Sequence, residues 1–352
     1  MRIKLMLASA LAVIGLPAGM LAATNSALAD DQLTVTAGGG SFQRVLRKVA
    51  FDPFSKASGV KVTDAEYDYS IAKIRAMVET KTVNWDVVWT TEGQTRTLCA
   101  EGIIETIDWT KLGLDRTKFE GTSSTECGVP SSVSATVVTY DKDRLPEGPK
   151  TIADFFDLEK FPGKRGLYKF PPLEWALIAD GVPIKDVYKV LRTPEGVDRA
   201  FKKLDTIRKD VIWWTAGAQP FQLLADRQVV MSDAWNGRIY DANKNSGKHF
   251  EIMWDAAVLT GTSWVIPKGT RRLENAYKFI AFASSPQVQA DMANDTAYGT
   301  GNKDALPLIN PAILPNLPNA PDHIGNAVMV DASFWSERGD ELRQRFTAWL
   351  AK

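Results

Sequence analysis

Residues 33–51 read LTVTAGGGSFQRVLRKVAF, and this stretch decides the fold class. Leu33, Val35 and Ala37 alternate with threonines, the period-two pattern of a strand. Gly38 to Gly40 break the run, and Val45, Leu46, Val49, Ala50 and Phe51 follow at helical spacing. Strand, glycine turn and helix in this order open an α/β fold. The G-x-G-x-x-G spacing of a dinucleotide site is absent, because Gln43 stands where its last glycine belongs. The turn instead delivers a helix N-terminus, whose free N–H groups can receive a carboxylate or another polar group. Ser41 and Phe42 are therefore the first ligand-site candidates.

The alternation continues outward. Residues 60–64 alternate as a second strand, 71–81 carry an amphipathic helical pattern, and 85–89 (Trp-Asp-Val-Val-Trp) form a short buried strand. A helix follows through Leu98. Repeated strand–helix units predict parallel strands with right-handed crossovers. Ligands in such sheets collect at the carboxyl ends of strands, which adds Thr91 and Glu92. Another strand spans 135–140, and after Pro146, Gly148 and Pro149 a second α/β series begins. It holds a helix at 195–207, a strand at 211–214, a helix at 221–225 and a strand at 228–231. Strands at 250–254 and 258–267, a helix at 273–284 and a final helix at 340–350 complete the pattern.

Residues 1–29 start Met-Arg-Ile-Lys, continue as an apolar run to Ala23 and end Ala27-Leu28-Ala29. This reads as a cleaved secretory signal; Gly15, Pro17 and Gly19 interrupt the run and argue against a membrane anchor. No later segment reaches the roughly 18 unbroken apolar residues of a span, so an exported, soluble protein, monomeric by default, is expected. The remaining 320 or so residues suit two lobes. Lys and Arg total 42, as do Asp and Glu; without Arg2 and Lys4 the formal charge is −2, which offers nothing to nucleic acid. Two cysteines and two histidines leave no material for a zinc centre, and neither metal nor cofactor is expected. In an oxidising compartment Cys99 and Cys127 read as one disulfide, the alternative being two buried thiols.

The order of motifs resembles a known family. NWDVVWTTEGQTRTLCAEGIIETIDW (84–109), TIADFFDLEKFPGKRGL (151–167), VVMSDAWNGR (229–238), SWVIPKGTRRLENAYKFIAFASSP (263–286) and AYGTGN (297–302) are similar, in sequence order, to periplasmic solute-binding proteins of the spermidine/putrescine type. The resemblance covers nearly all of the chain after residue 29. It implies a two-lobe clamshell of type II kind, with hinge crossings near 135–139 and 259–262. The first lobe is expected at 30–136 plus about 261–295, the second at 137–260, and a C-terminal segment from about 296 to 352 packs on both. It also implies a partner, the inner-membrane permease of an ABC importer.

The resemblance implies a ligand as well, a polyamine, amino acid or other small carboxylate. Polyamine binders hold ammonium groups with carboxylates between aromatic rings. Trp235 matches their cleft tryptophan. Their Trp-x-Asp on the return strand falls on Thr260-Gly261-Thr262, their aromatic pair after the third strand on Gly93-Gln94, and their later acids on Lys169-Phe170-Pro171 unless a gap brings in Glu174. An acid is lost and Arg238 is gained. Arginine offers a planar fork that fits a carboxylate bidentately. The expectation is that Trp235 stacks, Asn236-Gly237 forms a turn, and Arg238 grips an anionic ligand. The competing reading makes Arg238 a solvated arginine or an ion-pair partner of Glu92 or Asp233. Glu92 is the remaining amine partner. Ser132, Ser134, Trp214, Thr215, Thr262 and Tyr298 complete the candidates, with Gln219 and Trp264 behind them.

Two other classes compete. An exported hydrolase lacks G-x-S-x-G and has two distant histidines. A solute sensor that docks to a receptor instead of a permease would share the cleft. An iron-binding relative needs clustered tyrosines, and Tyr67 with Tyr69 precede a helix instead. Nothing in the sequence identifies a catalytic residue.

Overall fold

The computed structural model describes residues 32–119 and 125–351; the expected signal segment lies outside them. Strands are β1 (Gln32–Ala37), β2 (Lys61–Glu66), β3 (Val87–Thr91), β4 (Val129–Asp141), β5 (Arg165–Tyr168), β6 (Val211–Trp214), β7 (Met231–Trp235), β8 (Phe250–Val265), β9 (Gly299–Thr300) and β10 (Val328–Met329). Helices of seven residues or more are α1 (Gly40–Leu46), α2 (Asp52–Ser58), α3 (Ala72–Glu79), α4 (Glu92–Ala100), α5 (Leu173–Ala179), α6 (Pro194–Asp205), α7 (Gln219–Ala225), α8 (Asn236–Ser246), α9 (Leu273–Ala283), α10 (Pro286–Thr296) and α11 (Ala332–Leu350).

One curled sheet runs in the order β2-β1-β3-β8-β4-β7-β5-β6, with β10 beside β8 and β9 beside β4. The pairs β1–β2, β1–β3, β5–β6 and β5–β7 are parallel, as strand–helix–strand units require. β8 runs antiparallel to both β3 and β4. The two long strands pair from Val129 opposite Trp264 to Asp141 opposite Phe250, with register shifts at Pro130/Ser132 and Thr136/Val138. They join the β2-β1-β3 group to the β7-β5-β6 group. The cores follow the same division. Val129 belongs with Leu33, Val87, Trp264 and Phe279; Val138 belongs with Phe155, Trp175, Leu204 and, from α11, Phe334 and Phe346.

Motif residues hold this frame through buried polar groups, which must be hydrogen-bonded when removed from water. Asp86 is fully buried, accepts from the Thr34 N–H at 2.7 Å and the Thr270 hydroxyl at 2.5 Å, and pairs with Arg272 at 3.5 Å. Arg165 is also fully buried. Its guanidinium donates to the carbonyls of Phe155, Gly163, Asp157 and Phe161 at 2.7 to 3.0 Å. Burial lowers its pKa to about 10. Asn302 donates to the Ser284 carbonyl and receives Asp304 N–H, both at 3.0 Å. Cys99 and Cys127 are disulfide-bonded, closing a 28-residue separation.

Four sequence expectations are corrected. The strand predicted at 228–231 begins at Met231 and runs to Trp235. Residues 250–254 and 258–267 are one strand, β8. Asn236-Gly237 is not a turn but the start of α8. The reason is tertiary: the buried Asn236 amide accepts from the Ala135 N–H at 3.0 Å and donates to the Ala297 carbonyl at 2.7 Å. Those two bonds, 101 and 61 residues away in sequence, outweigh the local turn preference of Asn-Gly. The final helix is also longer than predicted, opening at Ala332.

Candidate functional site

The carboxyl ends of β1, β2, β3, β5, β6 and β7 converge on one cleft. Two cavities of about 590 and 520 Å³ lie in it. Gly38 to Ser41, Tyr67, Thr215 and Gln222 line the larger; Phe42, Trp89, Thr91, Ser134, Thr262 and Tyr298 line the smaller. Asp68, Tyr69, Tyr168, Lys169, Trp235 and Arg238 line both.

Arg238 stands in the first turn of α8, one turn past the end of β7. Its Nη1 donates to Ser41 Oγ at 2.6 Å and its Nη2 to the Gly39 carbonyl at 2.9 Å. Both acceptors follow β1, so the guanidinium bridges the two strand groups. Neither Glu92 nor Asp233 receives it, contrary to the ion-pair alternative. Gly237 admits this arrangement, since a Cβ there would sit 2.5 Å from the Tyr298 ring.

Trp235 caps the same junction, where β7 gives way to α8. Tyr69 meets its ring edgewise, with centroids 6.2 Å apart, Trp214 at 5.5 Å and Tyr168 at 5.9 Å. From Tyr69 the rings continue to Trp89 at 6.2 Å, Phe42 at 4.7 Å and Tyr298 at 5.6 Å. Offset and edgewise pairs at these separations are favourable beyond the area they bury. Asp233 fixes one end of the series: its carboxylate accepts from Trp214 Nε1 at 2.5 Å and from the Tyr168 N–H at 2.9 Å. Asp233 is fully buried, and burial raises its pKa to about 7 against the lowering effect of those two donors. Burial likewise raises Tyr69 and Tyr298, while the Arg238 charge opposes the shift in both.

The predicted site residues divide. Phe42, Thr91, Ser134, Trp235, Arg238, Thr262 and Tyr298 line the smaller cavity, and Ser41 and Thr215 the larger. Glu92, Ser132 and Trp214 line neither. Glu92 opens α4 and is buried. Ser132 is hydrogen-bonded to Thr262 across the β4–β8 pair, and Trp214 backs Trp235. Gln219 turns onto its own loop, accepting from the Thr215 and Ala216 N–H groups at 2.7 Å, and Trp264 is core. Sequence reasoning missed Asp68, Tyr69, Tyr168 and Lys169. The strand-end rule, applied to β2 and to the unrecognised β5, points to all four.

The smaller cavity carries Arg75, Lys169, Arg238 and Arg343 against Asp68, Glu174 and Asp340. Glu174 accepts from the Tyr188 hydroxyl at 2.6 Å and Trp335 Nε1 at 3.0 Å, and burial raises its pKa despite both bonds. Asp340 binds Arg343, and Arg75 binds Glu101. Among the described residues no group of three or more His, Cys, Asp or Glu could hold a metal ion. Such a lining suits a ligand with an anionic end better than one with two cations, because an unmatched charge in a closed site is costly.

A ring-lined cleft between two α/β halves defines a two-lobe solute-binding protein. The chain belongs to the bacterial extracellular solute-binding protein family, whose model matches residues 50–321. It is 42% identical to a gamma-aminobutyric acid-binding protein of Pseudomonas aeruginosa, over 95% of each chain. It is 24% identical to a spermidine/putrescine-binding periplasmic protein of Salmonella typhimurium, over 74% of this chain and 76% of that one. The solved structure of a GABA receptor superposes with a TM-score of 0.82 at 36% identity, covering 91% of this chain and 98% of that one.

Proposed function

We propose that this receptor captures a small amino carboxylate, with 4-aminobutyrate (GABA) the first compound to test, and delivers it to the permease of an ABC importer. The observation that carries the reading is Arg238. Its guanidinium spans the cleft beside Trp235 and Tyr69, with hydrogen bonds to Ser41 and Gly39 and none to a carboxylate. A ligand carboxylate is the natural partner for that fork. Trp89 and Phe42 supply ring faces for an ammonium, and Asp68 supplies a charge. The excess of basic over acidic lining residues and the GABA-binding relatives support the same choice over a polyamine.

We assign the lobes to 30–136 with about 261–295, and to 137–260, with the segment from about 296 packing on both. Binding would then shift an open–closed equilibrium by the ligand's preference for the closed form. No catalytic step is invoked, and residues 1–29 would direct export to the periplasm. The test is calorimetric titration of the purified protein with 4-aminobutyrate, butyrate, putrescine and spermidine. 4-Aminobutyrate is expected to bind most tightly. Putrescine or spermidine binding tighter by tenfold would refute the carboxylate reading.

A further inference from the structure

Among the residues that line both cavities, Tyr69 and Trp235 meet edgewise with ring centroids 6.2 Å apart, on the partition between the two spaces. Tyr69 reaches it from an unusual backbone, at φ 63°. A bulky residue in the left-handed region is a genuine outlier, and such strain persists only when the surroundings over-determine it. Three segments do so here. The Gln94 side-chain amide donates to the Tyr69 carbonyl. The Ser70 N–H donates to Asp68 Oδ1 at 3.1 Å. The phenol lies over Gly38, where any Cβ would fall 1.7 Å from its oxygen. The ring also packs against the first core and against Tyr67, with centroids 5.3 Å apart, so it is fixed where it lines both cavities.

We propose that Tyr69 is a specificity residue that admits ligands ending at Arg238 and excludes those whose carboxyl end is extended. The inference rests on the amino-carboxylate reading. Arg238 borders both cavities, so a ligand bound to it from the smaller one has its terminus against the partition. A terminus lengthened through an amide meets the Tyr69–Trp235 contact. Removing the ring joins the two cavities and opens a path toward Thr215, Gln222 and Lys248 in the larger one.

The experiment compares 4-aminobutyrate with its glycine amide conjugate, 4-aminobutyrylglycine, by calorimetry on the wild type, Tyr69→Phe and Tyr69→Gly. Glycine accepts positive φ without strain, so the second variant is expected to fold; thermal melting checks it, and Tyr69→Ser serves if it does not. The wild type and Tyr69→Phe should prefer the free acid by roughly tenfold to a hundredfold, the scale at which a filled pocket rejects a larger ligand. Tyr69→Gly should reduce that ratio below about fivefold, under the lower bound of that scale. A folded Tyr69→Gly that keeps the wild-type ratio overturns the proposal. So does a Tyr69→Phe that loses it, because the ring and not the hydroxyl is the barrier. If the wild type takes putrescine and not 4-aminobutyrate, the amino-carboxylate reading fails separately. The same ratio is then read on putrescine and N-acetylputrescine. A protein that binds neither pair overturns both readings.

Discussion

Truncating Arg238 to alanine tests the cleft most directly. The side chain ties the two halves through Ser41 Oγ at 2.6 Å and the Gly39 carbonyl at 2.9 Å, and in the proposed function it also presents its fork to the ligand. A single hydrogen bond of the first kind contributes about 1 kcal/mol net, or about fivefold in affinity. Losing one partner of a desolvated carboxylate–guanidinium contact costs about 2–5 kcal/mol, roughly 30- to 4,000-fold. Arg238→Ala should therefore weaken 4-aminobutyrate binding by two to three orders of magnitude, whereas Ser41→Ala should weaken it by about fivefold. Arg238→Lys keeps the charge without the planar fork and should fall between them. Calorimetry on the four proteins, with melting curves to confirm folding, gives the ranking. An Arg238→Ala protein within threefold of the wild type would falsify the role. Equal losses in Arg238→Ala and Ser41→Ala would mean that the arginine closes the cleft and does not hold the ligand.

Further outcomes follow from buried polar groups. Asp233 has its pKa raised to about 7 in the folded protein, so the fold binds an extra proton between the unfolded value near 4 and 7. Its contribution is present at low pH and lost as pH rises through 7, an effect of at most about 3 kcal/mol between pH 5 and 8. The wild type should therefore melt at lower temperature at pH 8 than at pH 5. Asp233→Asn should flatten that slope, leaving a residue from Glu174, which burial shifts the same way; an unchanged slope in the variant refutes the assignment. Asn236→Ala strands the Ala135 N–H and the Ala297 carbonyl and should cost about 2–4 kcal/mol in chemical denaturation. A loss under 1 kcal/mol would show that those groups find other partners.

The α/β order was legible because strand and helix periods differ and glycine turns separate them. The motifs that carry the family resemblance hold structural anchors: Asp86, Arg165 and Asn302 satisfy buried backbone groups and hold the frame. The ligand contacts were less legible. Glu92 follows β3, and the strand-end rule aims it at the cleft, yet the chain enters α4 at that residue and buries it. Asn236-Gly237 carries a turn signature that two long-range hydrogen bonds override. Tyr69 follows the end of β2, as the strand-end rule requires, but its entry into the cleft depends on Gln94 at its backbone and Gly38 under its ring, 25 and 31 residues away.

The long β4–β8 pair carries a mechanical consequence. Strands laced edge to edge twist readily about their common axis, but sliding one along the other would break the whole ladder at once. Compliance is greatest where the ladder is interrupted, at Pro130/Ser132 and Thr136/Val138. The two halves are thus mounted on a torsion bar and not on a free-swinging joint. On the proposed open–closed equilibrium, such a mount would return the halves along one arc, so that Arg238 meets Ser41 and Tyr69 meets Trp235 without a lateral search.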